Sequence, residues 1–152
     1  MITTDEYLDH CDRALDGFAE AVRALGDDLV NARLDVPGSN SAYAVVAHVV
    51  GVMAYWGSTV NRGLPVPRDR DAEFTARGTV DEALALLDAG RARLHDDARA
   101  ARPGEAPVSP PPDDDPDMPW SQGEVLLHVF EELTPHLGQV EVTRDVLLAR
   151  AA

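Results

Sequence analysis

Ala42-Tyr-Ala-Val-Val-Ala-His48-Val-Val-Gly-Val-Met-Ala-Tyr-Trp56 decides the fold class. Its valines suit a strand, whereas its length, its alanines and the apolar series Val45, Val49, Val52, Trp56, Val60 suit a helix. The series recurs at helical spacing and runs from Asn40 or Ser41 to about Asn61, stopping before Gly63 and Pro65. The prediction is a helix, and with it no long apolar segment is left to form a sheet.

Working outward, a capping-box pattern at Thr3 and Glu6 opens an earlier helix, which should run to about Leu34, where Val36-Pro37-Gly38 stops it. Leu8, Cys11, Leu15, Phe18, Val22, Leu25 and Leu29 make its buried seam. A third helix starts at the pattern Thr79 to Glu82, carries Leu84, Leu87 and Leu94, and reaches about Ala101. A fourth starts at Ser121, with Glu124 three residues on, and reaches about Arg150. The connection from Gly63 to Gly78 is long enough to cross a bundle end. Arg102 to Pro119 is rich in Pro and Asp and reads as a surface loop. The architecture expected is all-α: one domain over residues 1–152, a four-helix bundle with a long crossover connection.

Acidic residues outnumber Lys and Arg by 27 to 13, giving a formal charge of -14, which would repel a phosphate backbone and argues against nucleic acid as a partner. No signal peptide and no apolar run of membrane-spanning length is read, so a soluble, cytoplasmic protein is expected. The single cysteine, Cys11, excludes an internal disulfide and suits a reducing compartment. It falls in the helical seam, so a core role is preferred over a catalytic thiol.

Chemistry enters through histidines and carboxylates at helical spacing. His48 lies close to the apolar row of the second helix, where a neutral imidazole needs a partner. In the fourth, His128-Val-Phe-Glu-Glu132-Leu-Thr-Pro-His136-Leu-Gly-Gln139 spaces three metal-ligating types four residues apart, about 40° around the axis. Leu126, Val129, Leu133, Leu137, Val140 and Leu147 define its apolar face, with His136 on it and Glu132 at its edge. Bundles build metal sites from inward side chains on facing helices, and two histidines plus one carboxylate leave coordination positions open. His128 competes with Glu132 as ligand but lies farther from that face. Pro135 frees the carbonyl of Glu131 and should bend the helix just before His136. Arg144 also falls in the apolar sector and needs an anion, either an acidic side chain such as Asp69 or a substrate carboxylate. Arg68 and Arg70 stand in the crossover.

Asn40-Ser-Ala-Tyr43, His48-Val-Val-Gly-Val, Tyr55-Trp56, Arg68-Asp-Arg70-Asp-Ala-Glu-Phe74, Leu127-His128-Val-Phe-Glu-Glu132 through His136-Leu-Gly-Gln139, and Thr143-Arg144-Asp145 together resemble the DinB-like superfamily of metal-binding four-helix bundles. Within it, they look most like the actinobacterial branch of mycothiol-dependent S-transferases and maleylpyruvate isomerase. The resemblance implies zinc or another divalent ion on His48, Glu132 and His136, favouring Glu132 over His128. Two departures stand out. Ala42 and Tyr43 occupy the start of helix two, where family members often have tryptophan, and Gln139 stands where a second histidine is frequent.

What the resemblance implies about activity is a thiol S-transferase whose cosubstrate is a low-molecular-weight thiol, mycothiol in this branch. The thiolate would attack a small electrophile. Tyr55, Trp56, His128 and Gln139 would line the pocket, and Arg68, Arg70 or Arg144 would position an anionic electrophile. The alternatives are a metal-dependent hydrolase or isomerase on the same bundle, and a non-catalytic metabolite-binding or stress protein. Exposed apolar helix faces would suit a homodimer.

Overall fold

Three side-chain caps set where long helices begin. Thr3 accepts from the Glu6 amide while the Glu6 carboxylate accepts from the Thr3 amide, and Thr79 with Glu82 repeats the exchange. Ser121 and Glu124 make the same reciprocal pair, the amide of each donating to the side chain of the other. Each box satisfies two of the amides that a helix start leaves without partners. Ser41 caps the remaining long helix by accepting from Ala44.

The computed structural model describes residues 2–110 and 121–151. Along these run α1 (Thr4–Leu29), α2 (Ala42–Met53), a π-helical continuation (Ala54–Asn61), α3 (Arg70–Thr75), α4 (Val80–Ala100) and α5 (Gln122–Ala151). No strand occurs among the described residues. The loop expected between Arg102 and Pro119 falls outside them from residue 111 onward.

Both α1 and α2 pack against α4 and α5, with little contact between α1 and α2 themselves. The four long helices therefore stand in the cyclic order α1, α4, α2, α5, which makes α2 and α5 neighbours. The crossover from α2 to α4 joins adjacent helices and lays α3 against α2.

The core is filled from all four long helices: Leu8, Leu15, Phe18 and Val22 of α1, Val45, Val49 and Met53 of α2, Leu87 and Leu94 of α4, and Val129, Leu133 and Val140 of α5 are buried. Each such side chain withdrawn from water contributes about 1.5–3 kcal/mol. Cys11 belongs to this core and is fully buried, and burial pushes its thiol up to about 11. At neutral pH it is a protonated packing group, not a nucleophile.

Five expectations need correction. The first helix ends at Leu29 rather than near Leu34, because Gly26 takes φ +66°, a conformation open to glycine, and breaks the regular geometry. Across that break the seam slips, so Leu29 is half-buried and Val30 is buried in its place. The second helix reaches Asn61, but its last two turns are π rather than α. The crossover contains α3, six residues capped by Asp69, which accepts from Ala72. Finally, α2 with its continuation is long and apolar enough to cross a membrane, with a mean hydropathy of 1.3 over an 18-residue window within Ala42–Asn61. That apolarity faces the bundle: Val45, Val46, Val49, Val52, Met53 and Val60 are all buried inside it.

Candidate metal centre

His48 is placed by the inward row of α2 and is almost wholly buried. Its Nδ1 lies 2.9 Å from Oε2 of Glu73, a carboxylate delivered by α3. Glu73 is itself buried, and Arg68 clamps it: Nε donates to Oε1 at 2.7 Å and Nη2 to Oε2 at 3.1 Å. A forked guanidinium on a carboxylate is among the stronger side-chain pairings. It compensates a charge that burial would otherwise penalise. Phe74 stacks on the His48 ring with centroids 4.8 Å apart, fixing the imidazole plane from above.

With Nδ1–H given to Glu73, the His48 Nε2 lone pair points the other way, toward α5. There it faces Oε2 of Glu132 at 3.7 Å. His136 Nε2 approaches the same oxygen at 3.5 Å, while its Nδ1 lies 3.2 Å from Oε1 of Gln139. Both imidazoles thus use Nδ1 to bind an oxygen acceptor and turn Nε2 toward one carboxylate.

The three ligand atoms lie within 4.8 Å of one another. Ligand atoms around one tetrahedral zinc-sized ion stand about 3.4 Å apart, so the 3.7 and 3.5 Å approaches to Glu132 Oε2 need only small adjustments. Two imidazole nitrogens and a carboxylate oxygen suit a borderline divalent ion, and the backing of each imidazole through its other nitrogen is the usual outer-shell arrangement. The residues fit a divalent metal. The site is also lopsided in exposure: the His48 side chain is 5% accessible, against 25% for His136 and 31% for Glu132. A fourth ligand or a substrate would enter from the α5 side.

Pro135 lies between Glu132 and His136, and α5 continues through it. The Glu131 carbonyl that proline leaves without its usual amide is approached by the Thr134 hydroxyl at 3.4 Å. A side chain thus partly replaces the missing backbone donor beside the site.

His128 stands one turn before Glu132, its Nε2 3.9 Å from Glu132 Oε1 and its Nδ1 3.6 Å from Glu131 Oε2. It meets the edge of Trp56 with centroids 4.7 Å apart, and Trp56 in turn meets Tyr55. Arg68 lies over the Tyr55 ring at 5.6 Å. Of the expected pocket residues, Gln139 approaches His136 and His128 flanks Glu132 with Trp56 against it, whereas Tyr55 meets Trp56 and Arg68 and lines a cleft that none of the three candidate ligands lines. Arg70 is exposed in the first turn of α3. Arg144 pairs with its own neighbour Asp145 at 2.8 Å, in place of the suggested partner Asp69, whose side chain caps α3.

A family model described as the DinB superfamily matches residues 10–140. The chain belongs to the DinB superfamily. The match spans α2, the crossover and the part of α5 that carries Glu132 and His136, and the DinB superfamily is metal-binding. Among curated proteins and among solved structures, nothing matches the chain.

The partner of His48 was missed in sequence. An imidazole on an apolar row called for an acceptor, but that acceptor is 25 residues away on a helix too short to register as a period. The usable signal was Asp69 three residues before Ala72, an N-cap pattern that would have placed a turn of helix, and Glu73 on it, within the crossover.

Proposed function

We propose that this protein is a divalent-metal-dependent thiol S-transferase of the mycothiol-using branch of its family, cytoplasmic, with zinc as the resident ion. The observation that carries the reading is the convergence of the His48 and His136 Nε2 atoms on one oxygen of Glu132, each imidazole backed through Nδ1. Such a donor set leaves room for an exogenous ligand on the accessible side, which is where an incoming thiol is required.

Bound there, a divalent cation would supply the positive charge that keeps a thiol deprotonated near neutral pH. The chain's own residues do the rest. His48, Glu132 and His136 hold the ion. His128, with Trp56 against its edge, flanks Glu132 on the accessible side. Gln139 orients His136. In the transfer, sulfur forms a bond to the electrophilic carbon, the leaving group departs with the bonding electron pair, and the thiol proton passes to solvent. The partners are then a small thiol and a small electrophile. A net charge of -14 supports neither nucleic acid nor an anionic membrane surface as partner.

The first test is elemental mass spectrometry on protein purified without an affinity tag, with His136→Ala alongside. The expected result is about one divalent ion per chain, lost in the variant, followed by thiol-dependent consumption of model electrophiles. Turnover without added thiol would replace this reading with a hydrolase or isomerase, and wild-type protein that takes up no metal would make it a binding module.

A further inference from the structure

Gly51 lies one turn after His48 on α2, and a methyl group built there would come within 2.1 Å of Glu73 Oε1 and 3.4 Å of Arg68 Nε. The approach to Arg68 is ordinary contact, but the approach to Glu73 permits no side chain while the carboxylate stays in place. The glycine therefore opens a notch in α2, and the Glu73 carboxylate fills it, with Arg68 closing the notch from outside. The carboxylate has three fixed contacts: His48 Nδ1 on one oxygen, Arg68 on both, and the α2 backbone at Gly51 behind it.

Resting on the metal reading of His48, Glu132 and His136, we propose that Glu73 is the positioning residue of this centre. Seated in the Gly51 notch and clamped by Arg68, it holds His48 in the tautomer protonated at Nδ1, and so presents Nε2 to the ion. An imidazole free to choose would divide itself between two tautomers, of which one points its lone pair away from α5. Glu73 removes that choice. Phe74, its neighbour in sequence, removes the ring's rotation by stacking on it. Metal affinity is thereby tied to the docking of a six-residue helix in the crossover rather than to α2 and α5 alone.

Arg68 acquires a different role by the same geometry. It touches both carboxylate oxygens of Glu73 and the face of Tyr55, so it supports the His48 ligand from behind. A cleft of about 340 Å³ backs this arrangement, lined by Gly51, Tyr55, Arg68, Glu73 and Arg93 among others and by none of the three candidate ligands.

The test measures zinc affinity by competition with a chromophoric chelator for wild type, Glu73→Gln, Glu73→Ala and Gly51→Ala. Long-range proton–nitrogen NMR of the apo proteins reports the His48 tautomer. Losing such an outer-shell partner costs 10–100-fold in metal affinity. The expected order is a loss in that range for Glu73→Ala and for Gly51→Ala, which keeps every charged group but expels the carboxylate, and a smaller loss for Glu73→Gln, whose amide oxygen still accepts from Nδ1. The His48 signal should move from a single Nδ1-protonated form to a mixture in Glu73→Ala. Asp97→Asn, remote from the ligands, controls for general destabilisation and should leave affinity unchanged. If Gly51→Ala does not fold, Glu73→Gln and Glu73→Ala decide the matter. Wild-type affinity and an unchanged tautomer in the Glu73 variants would overturn this inference alone, whereas no zinc binding by the wild type would overturn the metal reading beneath it.

Discussion

Two buried carboxylates lie against the helix formed by α2 and its π continuation, and each is gripped by an arginine and by a polar side chain of that helix. At the first, Glu73 is held by Arg68 and His48. At the second, Asp97 of α4 accepts from Ser58 at 2.6 Å and from Arg62 at 2.7 Å. Each sits where the helix has a glycine: a methyl at Gly51 would strike Glu73, and one at Gly57 would come within 2.8 Å of Asp97 Oδ2. The difference lies in what the helix residue has left over. The Ser58 hydroxyl spends its donor on Asp97 within the bundle. His48 spends one nitrogen on Glu73 and keeps another facing Glu132 and His136. Two similar devices therefore have unlike uses, one closed and cohesive, the other open on one side to a ligand.

The largest expected effect breaks the closed device. Asp97→Ala removes the partner of Arg62 and Ser58 and should cost about 3 kcal/mol in urea unfolding, with zinc affinity unchanged. A fall in zinc affinity beyond twofold would show that the two devices are coupled. Next comes the open one: zinc at about 100 times its dissociation constant should stabilise the wild type by about 2.7 kcal/mol. His48→Ala should lose that increment entirely. Gly57→Ala follows, at about 2 kcal/mol, since Asp97 is pinned on two sides and cannot easily yield.

The smallest effect marks the pH range in which the comparison stays clean. Burial raises the Cys11 thiol from about 9 to about 11 in the folded chain. A raised value means that the fold favours the protonated form, so this contribution is intact below pH 9 and is lost as pH climbs from about 9 to about 11. Alkylation of Cys11 at pH 8 should accordingly be slow in native protein and fast in urea. Fast native alkylation would show that α1 opens locally at Cys11.

How much of this was legible in sequence depended on the range of the interaction. Thr3 with Glu6, Thr79 with Glu82, and Ser121 with Glu124 are contacts over three residues, and their residue types announce them. The apolar rows of α1, α2 and α5 are periodic over several turns, so the bundle was readable, and His48, Glu132 and His136 stood out against those rows as polar groups requiring partners. Gly26 was not readable as a break, because a glycine within a periodic run is ordinarily tolerated. The π geometry was equally hidden, since its residues are those of any apolar helix. Glu73 and Asp97 were out of reach for another reason: each finds its partner through tertiary packing, 25 residues from His48 and 39 from Ser58. Arg144 looked inward by its position on the wheel, yet an aspartate directly following it offered the nearer anion.

The π-helical stretch from Ala54 to Asn61 carries a consequence for insertions and deletions. Its wider turn accommodates more chain per revolution than an α-helix does. Deleting one residue there would let the backbone relax to α geometry, whose greater twist per residue largely absorbs the loss, whereas the same deletion in a regular α-helix rotates everything downstream by about 100°. Residues beyond the deletion would stay close to their partners, Arg62 to Asp97 and Asn61 to the Gln122 carbonyl that anchors the start of α5. His48, upstream, would keep its bearing. Chain length is therefore more forgiving in the π stretch after Met53 than in the α-helical part before it, where one residue more or less would turn the side chains beyond it off their partners.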